Sequence, residues 1–241
     1  MGRHVQMALV LACLALLAVM AGCSAPGSGP EPAGDSAVAS VEPEMVTPLP
    51  APSASGGASL AEALAQRRSI RSFAQESLTT AQLGQLCWAA QGVTSPHGYR
   101  TAPSAGALYP LEIYVVTAAG VFHYEPGSHQ LVAASEADRR QALYEAALRQ
   151  DPVREAPAIF VVTAVYGRTA EKYGPERSPR YVHLEAGHAA QNLLLQAVAL
   201  GLGGVPIGAF QDQQVQEALG LPADREPLYL IPVGYPQEAS P

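Results

Sequence analysis

Residues Tyr181 to Gly208 read YVHLEAGHAAQNLLLQAVALGLGGVPIG, and the rest of the chain is organised around them. Leu184, Ala186, Ala189, Leu193, Leu194, Leu195, Ala197, Val198 and Leu200 place apolar or small side chains almost all the way round one long predicted helix. A helix apolar on every side is normally buried inside a protein or between two copies. Its polar residues Glu185, His188, Asn192 and Gln196 recur at steps of three or four, the spacing of a single face. Gly187, with Ala186, Ala189 and Ala190, would let another backbone approach closely. The helix is expected to stop at Gly201. Gly203, Gly204 and Gly208 should then leave backbone N–H groups bare for a flat polar ligand.

Outward from this segment, the 241-residue chain falls into three parts. Arg3 and His4 precede an apolar run, VQMALVLACLALLAVM, that ends in small residues. The run is shorter than the roughly 20 apolar residues of a membrane span and has the pattern of a secretory signal. Its end, Val19-Met20-Ala21-Gly22-Cys23-Ser24, resembles a bacterial lipoprotein signal in which Cys23 becomes the lipid-modified N-terminus. Residues 1–23 are therefore expected to be a lipoprotein signal peptide, making this an exported lipoprotein anchored on the periplasmic or outer side of a membrane. Two acyl chains would hold where one does not. Residues 24–58, rich in Pro, Gly, Ala and Ser, are expected to form a disordered tether. Residues 59–236 then make one domain. A formal charge of -7 disfavours a nucleic-acid partner. Cys87 is the sole cysteine in the domain, and in LCWAA it reads as a small core residue.

Within the domain, Ser59 with Glu62 forms a capping box that starts a helix with Leu60, Ala63 and Leu64 as its apolar face. It runs into Arg67-Arg68-Ser69-Ile70-Arg71-Ser72. Guanidinium forks and hydroxyls in a helix-ending turn suit a phosphate, and a solvated basic turn is the alternative. Thr79 or Thr80 caps a second helix closed by Gly92. Pro103-Ser104-Ala105-Gly106 allows close backbone approach to a ligand, with Ser104 as a polar handle; its flanks are not the G-x-S-x-G of a hydrolase. Leu111–Thr117 and Val121–Glu125 form a hairpin, and Gln130–Ala134 adds a short strand. His123 and His129 are expected to be exposed, with no metal, because no carboxylate or thiol stands at ligand spacing. Residues 136–149 are amphipathic, and Ala158–Val165 is a central strand. Tyr166–Arg180 reads as a loop carrying Lys172 beside Tyr173. Val205–Phe210 reads as a short strand, Asp212–Leu219 as a helix and Pro227–Tyr235 as the last strand. The order predicts an α+β, mixed α/β domain with a sheet sandwiched by helices. Neither G-L-G-G at 201–204 nor His183 with His188 has the context of a dinucleotide loop or a zinc helix.

Arg67-Arg68-Ser69-Ile70-Arg71, Pro103 to Pro110, Lys172-Tyr173-Gly174, Leu184 to Leu193 and Pro206-Ile207-Gly208-Ala209-Phe210 together resemble the nitroreductase superfamily, nearest its SagB/ThcOx-type dehydrogenases. The resemblance implies a nitroreductase-like fold, with a central, mainly antiparallel sheet flanked by helices, and a homodimeric FMN-dependent oxidoreductase with the flavin at the subunit interface. Arg67, Ser69 and Arg71, with Arg68 beside them, would hold the FMN phosphate and ribityl chain. Pro103, Ser104, Ala105 and Gly106 would lie under the flavin. Pro206, Ile207, Gly208 and Ala209 would offer backbone N–H groups near its N5. Lys172 and Tyr173 match the pair that the azoline-oxidising branch uses for proton removal. NAD(P)H is the candidate electron donor, and a small molecule or an azoline-bearing peptide the candidate substrate. Many members carry asparagine where this chain has Ala107, and many end in a basic residue that this chain lacks, so the phosphate depends on the N-terminal arginines. A lipoprotein that keeps the fold as a non-catalytic flavin-binding or accessory module is the alternative.

Overall fold

The computed structural model describes residues 45–237. The expected signal peptide, Cys23 and the first part of the tether lie outside the described residues. In chain order the elements are β1 (Val46–Pro48), α1 (Leu60–Gln66), α2 (Thr80–Gln91), β2 (Leu111–Thr117), β3 (Gly120–Glu125), β4 (Gln130–Ser135), α3 (Arg140–Ala146), α4 (Asp151–Glu155), β5 (Ala158–Ala164), α5 (Tyr166–Tyr173), α6 (Ser178–Ala199), β6 (Gly203–Gly204), α7 (Asp212–Leu219) and β7 (Glu226–Gly234). The strands form one seven-stranded sheet in the order β1-β4-β3-β2-β5-β7-β6. Every neighbouring pair is antiparallel. The expected α+β class is what the chain adopts.

The sheet is covered on both faces, and period-two alternation assigns its side chains to two cores. Leu111, Ile113 and Val115 of β2, with Phe160 and Val162 of β5, pack against Leu86 and Ala90 of α2 and Val182, Ala189 and Leu193 of α6. Tyr114 and Val116, with Ile159 and Val161, pack against Leu143 of α3, Val153 of α4 and Val215 and Leu219 of α7. All seven residues of β5 are therefore buried. Its continuous apolar run reflects two covered faces in an antiparallel sheet, since only a fully buried strand can dispense with polar alternation.

The capping boxes form as expected. The Ser59 hydroxyl accepts from the Glu62 N–H while the Glu62 carboxylate accepts from the Ser59 N–H; Thr79 and Gln82 make the same exchange on α2. Only Ala63 of α1 is buried, however, and Leu60 and Leu64 are 67% and 54% exposed.

Five expectations need correction. The stretch Tyr166–Arg180 is mostly helical, as α5 and the start of α6. Gly167 falls in the first turn of α5 and Pro179 at the start of α6, where each is tolerated, while Gly174 with φ 78° ends α5. Residues 136–149 hold a helix only over α3, because Leu148 and Arg149 turn left-handed, with φ 56° and 58°, and Asp151 starts α4. Val205–Phe210 is not a strand; Gly203–Gly204 pairs with β7 instead, and only Ile207 makes an isolated bridge, to Leu230. The tether is not structureless throughout. Val46–Pro48 adds an edge strand to β4, and Leu49 is buried against Gly84. His123 and His129 are half-buried and hydrogen-bonded.

Gly203 ties the sheet edge to the chain after α1. A Cβ there would stand 2.5 Å from Ile70 Cγ1 and 2.8 Å from its Cβ. Gly203→Ala is accordingly expected to destabilise the fold by about 1–3 kcal/mol, the usual range for overpacking, read as a lower midpoint in urea unfolding.

Candidate active site

The arginine turn is set by where α1 stops. Arg67 leaves helical geometry, with φ −54° and ψ 122°, and the chain runs on extended. Ser69 then forms a parallel bridge with Gly204, and the Ile70 N–H donates to the Gly204 carbonyl at 3.1 Å. Ile70 packs where Gly203 has no side chain, so Arg67, Ser69 and Arg71 fall on the opposite side of this extended stretch. The Arg68 Nη1 donates to the carbonyls of Ala65 and Arg67, and the Arg71 Nη1 to that of Ser69. Among the described residues no carboxylate pairs with Arg67, Arg68 or Arg71. Three guanidinium groups on one turn with only carbonyls as partners keep donors free for an anion.

The glycine segment lies on the same sheet edge, and its free donors are fewer than the sequence suggests. Gly203 and Gly204 are buried in β6, so their amides are not bare. Ile207 is also committed: its N–H donates to the Leu230 carbonyl at 2.8 Å and its side chain joins the core. Pro206 has no N–H to offer. The N–H groups of Gly208 and Ala209 are exposed and make no hydrogen bond among the described residues. The Ala209 carbonyl accepts from Gln150 Nε2 at 2.7 Å, which anchors this exposed corner.

The Pro103–Pro110 turn is built differently. Ala107 and Tyr109 adopt left-handed backbone with φ 54° and 47°, beside Gly106 at φ 65°. Non-glycine residues in this region cost of order 1–3 kcal/mol each and persist where neighbours over-determine them. Ser104 Oγ accepts from the Tyr109 N–H at 2.9 Å, Tyr109 Oη accepts from the Arg100 N–H at 3.2 Å, and Arg168 Nη1 donates to the Tyr109 carbonyl at 3.1 Å. Arg100 also stacks over the Tyr109 ring, 4.6 Å from its centroid. A Cβ at Gly106 would stand 2.9 Å from Lys172 Nζ and 3.0 Å from Tyr173 Oη. The turn and the Lys172–Tyr173 pair of α5 therefore meet. No hydrogen bond among the described residues links this group to the arginine turn or to Gly208.

Behind the turn lies a charged cleft of about 510 Å³ lined by residues that include Arg100, Tyr109, Glu112, His123, Arg168 and Arg225. Glu112 sits within the apolar strand β2 and is 8% exposed. It pairs with Arg168 and, at 2.7 Å, with His123 Nε2; His123 Nδ1 lies 3.2 Å from Glu125. Burial pushes the Glu112 carboxyl up, but the His123 hydrogen bond and the Arg168 charge outweigh it and hold the group below the usual carboxylate value. None of Arg100, Glu112, Arg168 or Glu185 stood out as a site residue in the sequence. The available signal was a lone carboxylate inside LEIYVVT, a position that would otherwise be core.

Known proteins share this chain's sequence and fold. The model of the nitroreductase family matches residues 64–235. A Methanocaldococcus jannaschii protein designated a nitroreductase is 42% identical over 181 residues, covering 73% of this chain and 90% of the relative. The NADPH-flavin oxidoreductase of Vibrio harveyi is 32% identical over 116 residues, 45% of this chain and 48% of that one. A crystal structure from Ralstonia eutropha, also designated a nitroreductase, superposes with a TM-score of 0.75 at 34% identity, covering 81% of this chain and 91% of that one. The chain belongs to the nitroreductase family. It is an oxidoreductase of that family.

The lowered Glu112 value fixes the sign of a pH effect. The stability this carboxylate contributes is full above its unfolded value near ~4.3 and is lost as pH falls through the folded value. Glu112→Gln should cost about 1–3 kcal/mol at neutral pH, by leaving Arg168 and His123 without their acceptor, and should flatten the acid limb. Urea unfolding across pH 3–7 measures both.

Proposed function

We propose that this chain is an FMN-dependent oxidoreductase that works as a homodimer, passing hydride equivalents between a donor and a small organic or azoline-bearing peptide substrate. The Ser69–Gly204 bridge carries the reading. It puts on one sheet edge three arginines and the amides of Gly208 and Ala209, none of which has a carboxylate or main-chain partner, respectively, among the described residues. That donor set fits a flavin mononucleotide, with cations for its phosphate and main-chain N–H groups for its ring edge. Arg67, Ser69 and Arg71, with Arg68 beside them, would hold the phosphate end. Gly208 and Ala209 would donate to the ring, with Pro206 and Ile207 shaping the approach. When bound, FMN supplies the hydride chemistry. Pro103 to Gly106 would bring backbone close to the ring face, and Lys172 Nζ or Tyr173 Oη would accept the proton lost by a substrate that is dehydrogenated. The flavin-oxidoreductase relative supports NAD(P)H as donor. The motif ending at Cys23 supports export and lipid anchoring, which would place the domain at a membrane surface.

A second copy would bring the two separated groups together. Leu184, 53% exposed, shares an open face of α6 with Gly187, His188 and Gln191. Exposed Leu60 and Leu64 of α1 lie on the helix that packs beside it. Apolar side chains in this arrangement, next to glycine, suit close helix contact across a two-fold axis.

Two measurements test this reading. The purified protein should show a flavin absorbance spectrum that bleaches with NAD(P)H, and Arg67→Ala combined with Arg71→Ala should weaken FMN binding at least ~10-fold, as expected for loss of two charge-assisted contacts. A colourless protein that cannot be reconstituted with FMN would sink the proposal. Light scattering should give twice the protomer mass, and Leu184→Glu should shift it toward one.

A further inference from the structure

A cavity of about 630 Å³ lies between α1, α2, the C-terminal half of α6 and residues 50–58. It shares no lining residue with the arginine turn, the Gly208 corner or the charged cleft. Ala63 of α1, Trp88 and Ala89 of α2, and Leu195 and Leu200 at the end of α6 give it apolar walls. The remaining wall is the strap Pro50–Ala58, which contains only Pro, Ala, Ser and Gly. Main chain therefore covers the space without side chains large enough to fill it. The strap is fixed in place. The Leu49 N–H donates to the His129 carbonyl at 3.2 Å, and His129 Nε2 donates to the Pro50 carbonyl at 3.0 Å. Gln85 Oε1 accepts from the Ser53 N–H at 2.8 Å, while its Nε2 donates to the Ser53 carbonyl at 3.0 Å. Gly57, at φ 76°, rests on α6, where a Cβ would stand 3.1 Å from the Ala199 carbonyl oxygen.

No charged side chain lines this cavity. Its amides are oriented by main-chain groups, which can only donate or only accept. Gln85 Nε2, set by the Ser53 carbonyl, also donates to Gln196 Oε1 at 3.2 Å, so Gln196 Nε2 points its N–H groups elsewhere. Asn192 Nδ2 donates to the Thr101 carbonyl at 3.2 Å, which leaves Asn192 Oδ1 as an acceptor. Gln196 Nε2 and Asn192 Oδ1 have no hydrogen-bond partner among the described residues. The two residues stand one turn apart on α6, about 5–6 Å at Cβ, and both line the cavity. We propose that this cavity is a binding site for a neutral, mainly apolar organic molecule that carries an acceptor beside a donor, as a carboxamide on an aromatic ring does. The apolar body is buried against Trp88 and the leucines, and Gln196 and Asn192 take the polar end. An anion would lose its hydration and meet no cation. A second copy of the chain is not the occupant: Leu184, Gly187, His188 and Gln191, the open face of α6 that suits it, do not line the cavity. Thr101 stands two residues ahead of Pro103, so the occupant lies beside the entry to the Pro-Ser turn. The inference goes beyond the flavin reading and does not depend on it.

Trp88 is the single tryptophan of the chain, so its emission reports on this cavity alone. The probe is 2-naphthamide, with 2-naphthoate as its charged counterpart of the same shape. Calorimetric titration of the full chain should give one 2-naphthamide site per protomer, with a saturable change in Trp88 emission in the FMN-free protein, and 2-naphthoate should bind at least ~10-fold more weakly. Gln196→Met should weaken 2-naphthamide about 5-fold or more, the effect of one lost hydrogen bond, and Ala199→Phe should fill the space and abolish binding. Gln196→Met keeps the test open should Ala199→Phe not fold. No saturable binding, equal affinity for the two probes, or indifference to Gln196→Met would each overturn the proposal. Displacement of 2-naphthamide by FMN would also overturn it, by assigning the cavity to the flavin. Binding that appears only in Leu184→Glu would do so by assigning the cavity to a second copy. A protein that stays colourless with FMN yet binds 2-naphthamide with these preferences overturns the flavin reading and supports this one.

Discussion

Strand β5 buries all seven of its residues, Ala158–Ala164, and this obliges the sheet to carry helices on both faces. With the faces filled, chemistry is left to the sheet's outer edge and to the loops beyond the ends of its strands. The arginine turn and the Gly208 corner occupy the β6 edge, where Gly203 and Gly204 are narrow enough for a second backbone to dock. The Pro-Ser turn occupies the start of β2, where α5 returns from the end of β5 to cover it. Helix α6 spans the molecule between them and contributes Glu185 and Asn192 to the second group.

The two groups differ in how they are made ready. The arginine turn is held by main-chain bonds, through Ile70 to Gly204, so its side chains remain available. The Pro-Ser turn is held by side chains, those of Ser104, Tyr109 and Arg168, and Arg168 is itself anchored by the buried Glu112. Burial lowers the Arg100 guanidinium, with Glu112 and Glu185 pulling it back up. Such an arrangement stores strain at Ala107 and Tyr109 and spreads its support over four elements. A turn supported in this way is rigid where a ligand would touch it, which is the usual reason for strain at a functional site.

Much of the fold and part of the site were legible in the residues. Periodicity and caps located α2, α6, α7 and the β2–β3 hairpin, because local hydrogen bonds and burial leave a local mark. Where the reading failed, position mattered more than residue type. Gly167 and Pro179 look like breakers, yet each stands in the first turn of a helix, where the backbone loses nothing by it. Leu148 and Arg149 look helical, yet the turn into α4 requires them left-handed. Val46–Pro48 looks like tether, yet β4 offers it an unpaired edge.

What the sequence by itself determined about this protein is its family, its element order and the residue types gathered in each motif: arginines in one turn, small residues in another, a Lys–Tyr pair ahead of the long helix. The tertiary structure alone decided which of those groups are free. It committed the amides of Val205 and Ile207 to β7 and left those of Gly208 and Ala209 without a partner among the described residues. It also joined Gln91 to Glu185 across 94 positions and Arg168 to Glu112 across 56. The physical reason is that a donor's availability depends on partners brought together by packing, and residues so far apart leave no spacing in the chain from which their meeting can be read.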